Sequence, residues 1–156
     1  QQSATPAKAK PTKSVAENKQ VNPKANKALL NAAKKDDIEA AKPAVTDGAD
    51  VNVKDYQGRT ALNVAVFYHY KDIAKLLIGK GADVNVNSKI EDTPLHYAKT
   101  KEIAELLIAK GADVNAKEKD GYTPLDEAIA GKRSETADLL RKHGGKTKKE
   151  LEAEGK

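Results

Sequence analysis

Residues 73–85 read Ile-Ala-Lys-Leu-Leu-Ile-Gly-Lys-Gly-Ala-Asp-Val-Asn, and residues 103–115 read Ile-Ala-Glu-Leu-Leu-Ile-Ala-Lys-Gly-Ala-Asp-Val-Asn. A further Gly-Ala-Asp-Val-Asn stands at 48–52, so the three copies are 33 and 30 residues apart. A diverged version, Thr136-Ala137-Asp138-Leu139-Leu140, leads into His143-Gly144-Gly145. Upstream of each run lies a second element: Thr60-Ala61-Leu62-Asn63, Thr93-Pro94-Leu95-His96 and Thr123-Pro124-Leu125-Asp126, again 33 and 30 residues apart. Self-similarity at such a period marks a repeat architecture.

Each unit has a physical reading. Thr caps the start of a helix, and Pro suits its first turn. A short helix comes next, as over Ala61–Tyr68. A second helix, as over Lys71–Gly79, carries Ile and Leu at helical spacing. Gly81 and Gly111 end their helices in the left-handed conformation. Asp-Val-Asn then leaves the helix layer for a tight turn such as Lys54-Asp55-Tyr56-Gln57-Gly58. One such unit cannot bury its own apolar face, so the units must stack.

With these motifs in this order, the chain resembles the ankyrin repeat family, and its Lys-, Ala- and Asn-rich units resemble small bacterial-type members. The resemblance covers about residues 25–145. It implies an all-α solenoid of about four stacked helix-turn-helix repeats with projecting β-hairpin loops. The units are 24–54 (an N-terminal cap repeat without the Thr-Pro-Leu-His element), 55–87, 88–117 and 118–145. Residues 146–156 contain a polar C-terminal capping helix over Lys146–Glu154. In the first unit, helix one is expected near Asn26–Lys34, and Pro43 should kink or shorten helix two. The third unit is short: Thr60 to Ile73 and Thr123 to Thr136 span 13 residues, whereas Thr93 to Ile103 spans 10. Its first helix should shrink to about Pro94–Lys99, leaving a notch beside Phe67 and Tyr68.

The chain has 156 residues and a formal net charge of +5. That excess lies in residues 1–27, with six lysines against one acid; residues 28–156 hold 22 basic and 22 acidic residues. Residues 1–24 are rich in Ala, Pro and Lys and poor in large apolar residues, the composition of a disordered tail. The chain begins at Gln1, and a polar spacer of this kind often stands directly after a removed signal peptide. This reading favours an exported protein, periplasmic or secreted, over a cytoplasmic one.

With no Cys, a disulfide framework, a thiol nucleophile and a thiolate metal site are excluded. No apolar run reaches the roughly 18–20 residues of a transmembrane helix. His69, His96 and His143 share no metal-ligand spacing, and no carboxylate pair stands out. The resemblance assigns His96 a structural hydrogen bond to neighbouring backbone, with Asn63 and Asp126 in the same place. The turn at Asp120-Gly121 lacks any phosphate-loop context. The expectation is therefore a non-enzymatic chain with no catalytic residues, metal or cofactor.

The six aromatics all lie between residues 56 and 122. Family members bind protein partners through hairpin tips and the exposed side of the first helix. The matching positions are Tyr56, Gln57 and Arg59, then Phe67 and Tyr68, then Lys89, Ile90 and Asp92, then Lys119, Asp120 and Tyr122. Phe67, Tyr70 and Tyr97 also suit packing between repeats, Tyr97 most of all. The leading reading is a protein–protein interaction module, monomeric on its own, that docks a protein on its concave hairpin and first-helix face. Two alternatives remain: attachment to a polyanion or anionic surface through the basic tail, and a permanent scaffold subunit of a larger complex. A tail without Arg or aromatics does not suit specific nucleic-acid reading.

Overall fold

The computed structural model describes residues 22–156. The tail expected over 1–24 falls mostly outside them. Its last residues, however, are ordered, because Asn22 accepts from the N–H groups of Lys24 and Ala25 and Pro23 opens the first helix. The elements are α1 (Pro23–Lys35), α2 (Ile38–Thr46), α3 (Ala61–Phe67), α4 (Lys71–Gly79), a 3-10 turn (Pro94–Tyr97), α5 (Lys101–Ala109), α6 (Pro124–Ala130), α7 (Ser134–Lys142) and α8 (Lys148–Ala153). Among the described residues there is no sheet; the extended backbone makes one isolated antiparallel bridge, Lys54 with Thr60.

The Thr-x-Leu-x element starts the first helix of repeats two and four through reciprocal caps. Thr60 accepts from Asn63 N–H, and Asn63 Oδ1 accepts from Thr60 N–H at 2.9 Å. Thr123 and Asp126 repeat the pattern. Second helices end alike: Gly48, Gly81, Gly111 and Gly144 all adopt positive φ. Around Gly81, its N–H donates to Ile78 O and Ala82 N–H donates to Leu77 O, which brings further donors to the carbonyls of the last turn.

Between the helix layers lie Leu29, Leu62, Ile73, Leu77, Leu95, Ile103, Leu107, Leu125 and Leu140, all among the most deeply buried side chains. The outer helices α4, α5 and α7 each span nine residues. So does α2, despite Pro43 inside it, and the expected shortening does not occur. Asp37 caps its start, Gly48 closes its end, and Ala41 and Ala44 bury its inner face. The third repeat contracts further than expected: a four-residue 3-10 turn replaces the helix placed at Pro94–Lys99. The missing residues would have formed the inter-helix turn that holds Asp36, His69 and Lys132 at positive φ in the other repeats.

The asparagine of each Gly-Ala-Asp-Val-Asn joins its repeat to the next. Asn52 Oδ1 accepts from Asp83 N–H at 2.7 Å, Asn85 from Asp113 at 2.8 Å and Asn115 from Lys146 at 2.7 Å. Asn26 begins the series by accepting from Asp50 N–H at 2.7 Å. Asn85 and Asn115 also donate through Nδ2 to Gly111 O and Gly144 O.

The hairpin loops share one backbone pattern. Asp55 N–H donates to Arg59 O, Ser88 N–H to Asp92 O, and Glu118 N–H to Tyr122 O. The first residue of each loop also accepts from main-chain N–H groups within it. At the tight position Gly58 and Gly121 have positive φ, and in the third repeat Glu91 takes the same conformation at φ 66°. Asp55 is deeply placed, with Arg59 Nη2 3.0 Å from its Oδ2. Burial alone would raise its pKa, but the Arg59 and Gln57 N–H groups and the Arg59 guanidinium hold it below the ordinary carboxylate value.

Three outcomes are expected for stability. Asn85→Ala removes two bonds between repeats and should cost about 1–2 kcal/mol in denaturant unfolding, whereas Ala at the exposed Asn87 should cost little. Glu91→Gly relieves left-handed strain and should raise stability by about 0.5–1 kcal/mol. Because folding depresses the Asp55 pKa, its contribution is fully present above the unfolded value of 3.8 and is lost as pH falls through the folded value. The melting-temperature gap between the parent and Asp55→Asn should therefore be wide at neutral pH and narrow at acid pH.

Candidate protein-binding face

Among the described residues, exposed large apolar side chains are confined to the hairpin and first-helix side of the repeats. They are Tyr56, Phe67, Tyr68, Ile90, Tyr122 and Ile129, and each lies on a hairpin loop or at α3 or α6. The second helices instead turn charged residues outward, such as Lys71, Asp72 and Lys75 on α4 and Lys101, Glu102 and Glu105 on α5. Monomeric surfaces rarely gather apolar residues this way without an interaction site.

The structure brings most of the eleven expected partner-contact positions onto this side. Tyr56 (78% exposed) and Gln57 form the tip of the second repeat's loop, Lys89 and Ile90 that of the third, and Lys119 and Asp120 that of the fourth. Phe67 and Tyr68 are exposed at the end of α3, and Tyr122 at the base of the fourth loop. Two positions differ from the expectation of accessible contacts. Arg59 is half-buried, with its guanidinium committed to Asp55. Asp92 is buried (7% exposed) and accepts from the Tyr97 hydroxyl. Both side chains shape the loops from within.

The rings form a continuous row. Tyr70 stacks on Tyr68 at 5.6 Å, Tyr68 meets Phe67 edge-on at 5.0 Å, and Phe67 meets Tyr97 edge-on at 5.1 Å. Tyr97 is half-buried and not a full core residue. Burial, followed by the Asp92 carboxylate, raises its phenol pKa above the ordinary value of 10.0. Lysine ammonium groups lie over several rings: Lys34 over Tyr56 at 6.0 Å, Lys99 over Phe67 at 5.7 Å and Lys148 over Tyr122 at 4.7 Å.

Where the third repeat lacks its first-helix turn, a cleft of about 500 Å³ opens between the second and third loops, with Tyr56, Asn63, Phe67, Ile90 and Tyr97 among its lining residues. This is the notch expected from the missing residues. Sequence reasoning missed Ile129, which sits on the exposed side of α6, and the position of Asn63 at the cleft. The sequence places Asn63 with His96 as a hydrogen-bonding residue of the Thr-x-Leu-x element, but carries no sign of the unpaired end of its amide.

His96 is a buried structural residue. Its Nδ1 accepts from Thr93 N–H at 3.1 Å, so its Nε2 is the nitrogen that donates to Tyr122 O at 3.1 Å. His69 sits in the turn after α3, and His143 caps the end of α7. Among the described residues, no group of three His, Asp or Glu side chains is placed to hold a metal ion, and no helix is long and apolar enough to cross a membrane.

Comparison with known proteins places this geometry. A family model described as ankyrin repeats (3 copies) matches residues 9–88 and 85–150. The serine/threonine-protein kinase 12 of Arabidopsis thaliana is 36% identical over 66 residues, 42% of this chain and 14% of that protein. A putative ankyrin repeat protein of fowlpox virus, FPV222, is 38% identical over 76 residues, 49% of this chain and 10% of that protein. The chain thus spans only a small part of these longer relatives. A putative ankyrin repeat protein of Rickettsia felis, RF_p14, is 46% identical over 50 residues, 32% of this chain but 79% of that protein. Stacked helix pairs, capped Thr-x-Leu-x starts, glycine-closed second helices and the matched family model lead to one conclusion: this chain belongs to the ankyrin repeat family.

Proposed function

We propose that this chain is a non-enzymatic interaction module that binds a protein partner across its hairpin and first-helix face. Ankyrin repeats are generally protein–protein interaction modules. The observation that carries the reading here is the segregation of exposed apolar side chains. Tyr56, Phe67, Tyr68, Ile90 and Tyr122 lie on that side, while the second helices present charge. Exposed Tyr and Phe on a rigid frame are effective anchors, because they bury a large area with few rotatable bonds.

The frame supports binding with little rearrangement. Each loop is tied by its own first residue. The third and fourth loops are also tied to each other, since Lys119 N–H donates to Ile90 O at 3.1 Å. Ordering costs on association are lower for loops already held in place.

Tyr56→Ala and Tyr68→Ala should each weaken the partner purified with the native protein by more than about 1–2 kcal/mol, measured by titration calorimetry. The melting temperature should hardly change, because both rings are exposed. Unchanged affinity would remove this face as the binding site. Deleting residues 1–21 should leave affinity and its salt dependence nearly unaltered; a steep loss would favour the basic tail as the attachment point.

A further inference from the structure

The fourth residue of the Thr-x-Leu-x element does a second job in two repeats. His96 Nε2 donates to Tyr122 O, and Asp126 Oδ2 accepts from Lys148 N–H at 2.8 Å, so each reaches the following unit. In the second repeat the residue is Asn63. Its Oδ1 accepts from Thr60 N–H, which fixes the orientation of the amide. Its Nδ2 is buried and has no hydrogen-bond partner among the described residues. The residue is 1% exposed and lines the cleft between the second and third loops. A buried donor without an acceptor is unfavourable until one arrives.

The cleft supplies the rest of a pocket. Val64, Phe67, Ile90 and Tyr97 give it apolar and aromatic walls, and its volume of about 500 Å³ is that of a ligand-binding cavity. The carboxylates beside it are already engaged, Asp55 by Arg59 and Asp92 by the Tyr97 hydroxyl. Of the lysines beside it, Lys34 pairs with Asp55 at 4.0 Å, whereas Lys89 at the opening and Lys99, 5.7 Å from the Phe67 ring centre, enter no ion pair among the described residues. The acids opposing these two are Glu91 on the third loop and Glu127, whose charge is felt at Tyr97.

We infer that this cleft is the anchor pocket of the face. It takes one aromatic or branched aliphatic side chain from an acidic segment of the protein partner, and a carbonyl or carboxylate oxygen of that segment accepts from Asn63 Nδ2. The inference rests on the protein-binding reading above and adds the chemistry of the bound segment. The lysines favour an acidic segment, the walls favour an apolar side chain, and the amide requires an acceptor beside it.

The protein has no Trp, so an N-acetylated acidic hexapeptide with one tryptophan reports its own burial by fluorescence. Titrated with the full chain, it should show a saturable blue shift, and a lysine-rich counterpart should bind about tenfold more weakly or not at all. Asn63→His gives the second repeat the residue that bridges onward in the third. It should raise the melting temperature while weakening the acidic peptide about tenfold. Lys89→Glu with Lys99→Glu should weaken the acidic peptide and narrow its advantage over the basic one. No saturation at about 1 mM peptide, or equal binding by parent and Asn63→His, overturns the pocket. If the natural partner is lost on Tyr68→Ala but both it and the peptide are indifferent to Asn63→His, the face stands and the pocket falls. If the peptide depends on Asn63 while the natural partner ignores every substitution on the face, the pocket stands as a site and the broader reading falls.

Discussion

The asparagine that closes each Gly-Ala-Asp-Val-Asn run is the constraint on which the stack depends. Apolar burial alone would let neighbouring helix pairs slide, because the hydrophobic effect has no direction. The side-chain amide does have direction. Asn52, Asn85 and Asn115 each accept from the N–H two residues after the helix-closing glycine of the next unit. That N–H is correctly placed only because the glycine has turned the chain through a left-handed residue. Helix end, loop exit and inter-repeat register are thus one geometric unit, which is why the five residues recur together.

Much of this was legible in the sequence. Thr before Leu, Gly after a Leu-Leu run and the 33- and 30-residue spacings locate the helices and the shortened repeat. Other features were hidden because they depend on partners distant in space or on competition within a loop. Nothing in Asp92 itself shows that the Tyr97 hydroxyl will claim it, nor in Arg59 that its guanidinium will fold back on Asp55. Spacing places a residue on a loop, but exposure depends on what the loop's own charges find first. Pro43 does not shorten its helix for a related reason: its intrinsic penalty is offset by capping at Asp37 and by burial of Ala41 and Ala44. Whether the candidate positions touch a partner is not a property of the chain alone, so only their placement was readable.

Asn63 shows how one atom's reach separates a joint from an open end. Histidine and aspartate at the equivalent position each join the following unit. Asparagine also caps Thr60 but leaves its Nδ2 without a partner among the described residues. The capping requirement tolerates all three residues, while the bridging requirement tells them apart.

The contracted third repeat has a consequence for how such a chain can change. Its lost residues come from the first-helix layer alone. The outer helices α4, α5 and α7 keep equal length, and the amide links on either side of the gap, at 2.7 and 2.8 Å, keep the same reach. The layer that sets the pitch therefore keeps its spacing where the layer that meets the outside is shortened, and His96 still bonds across the shortened layer to Tyr122 O. A turn has been lost from the outward layer here without throwing the later repeats out of step, so the contact surface is remodelled while the backbone lattice stays in register.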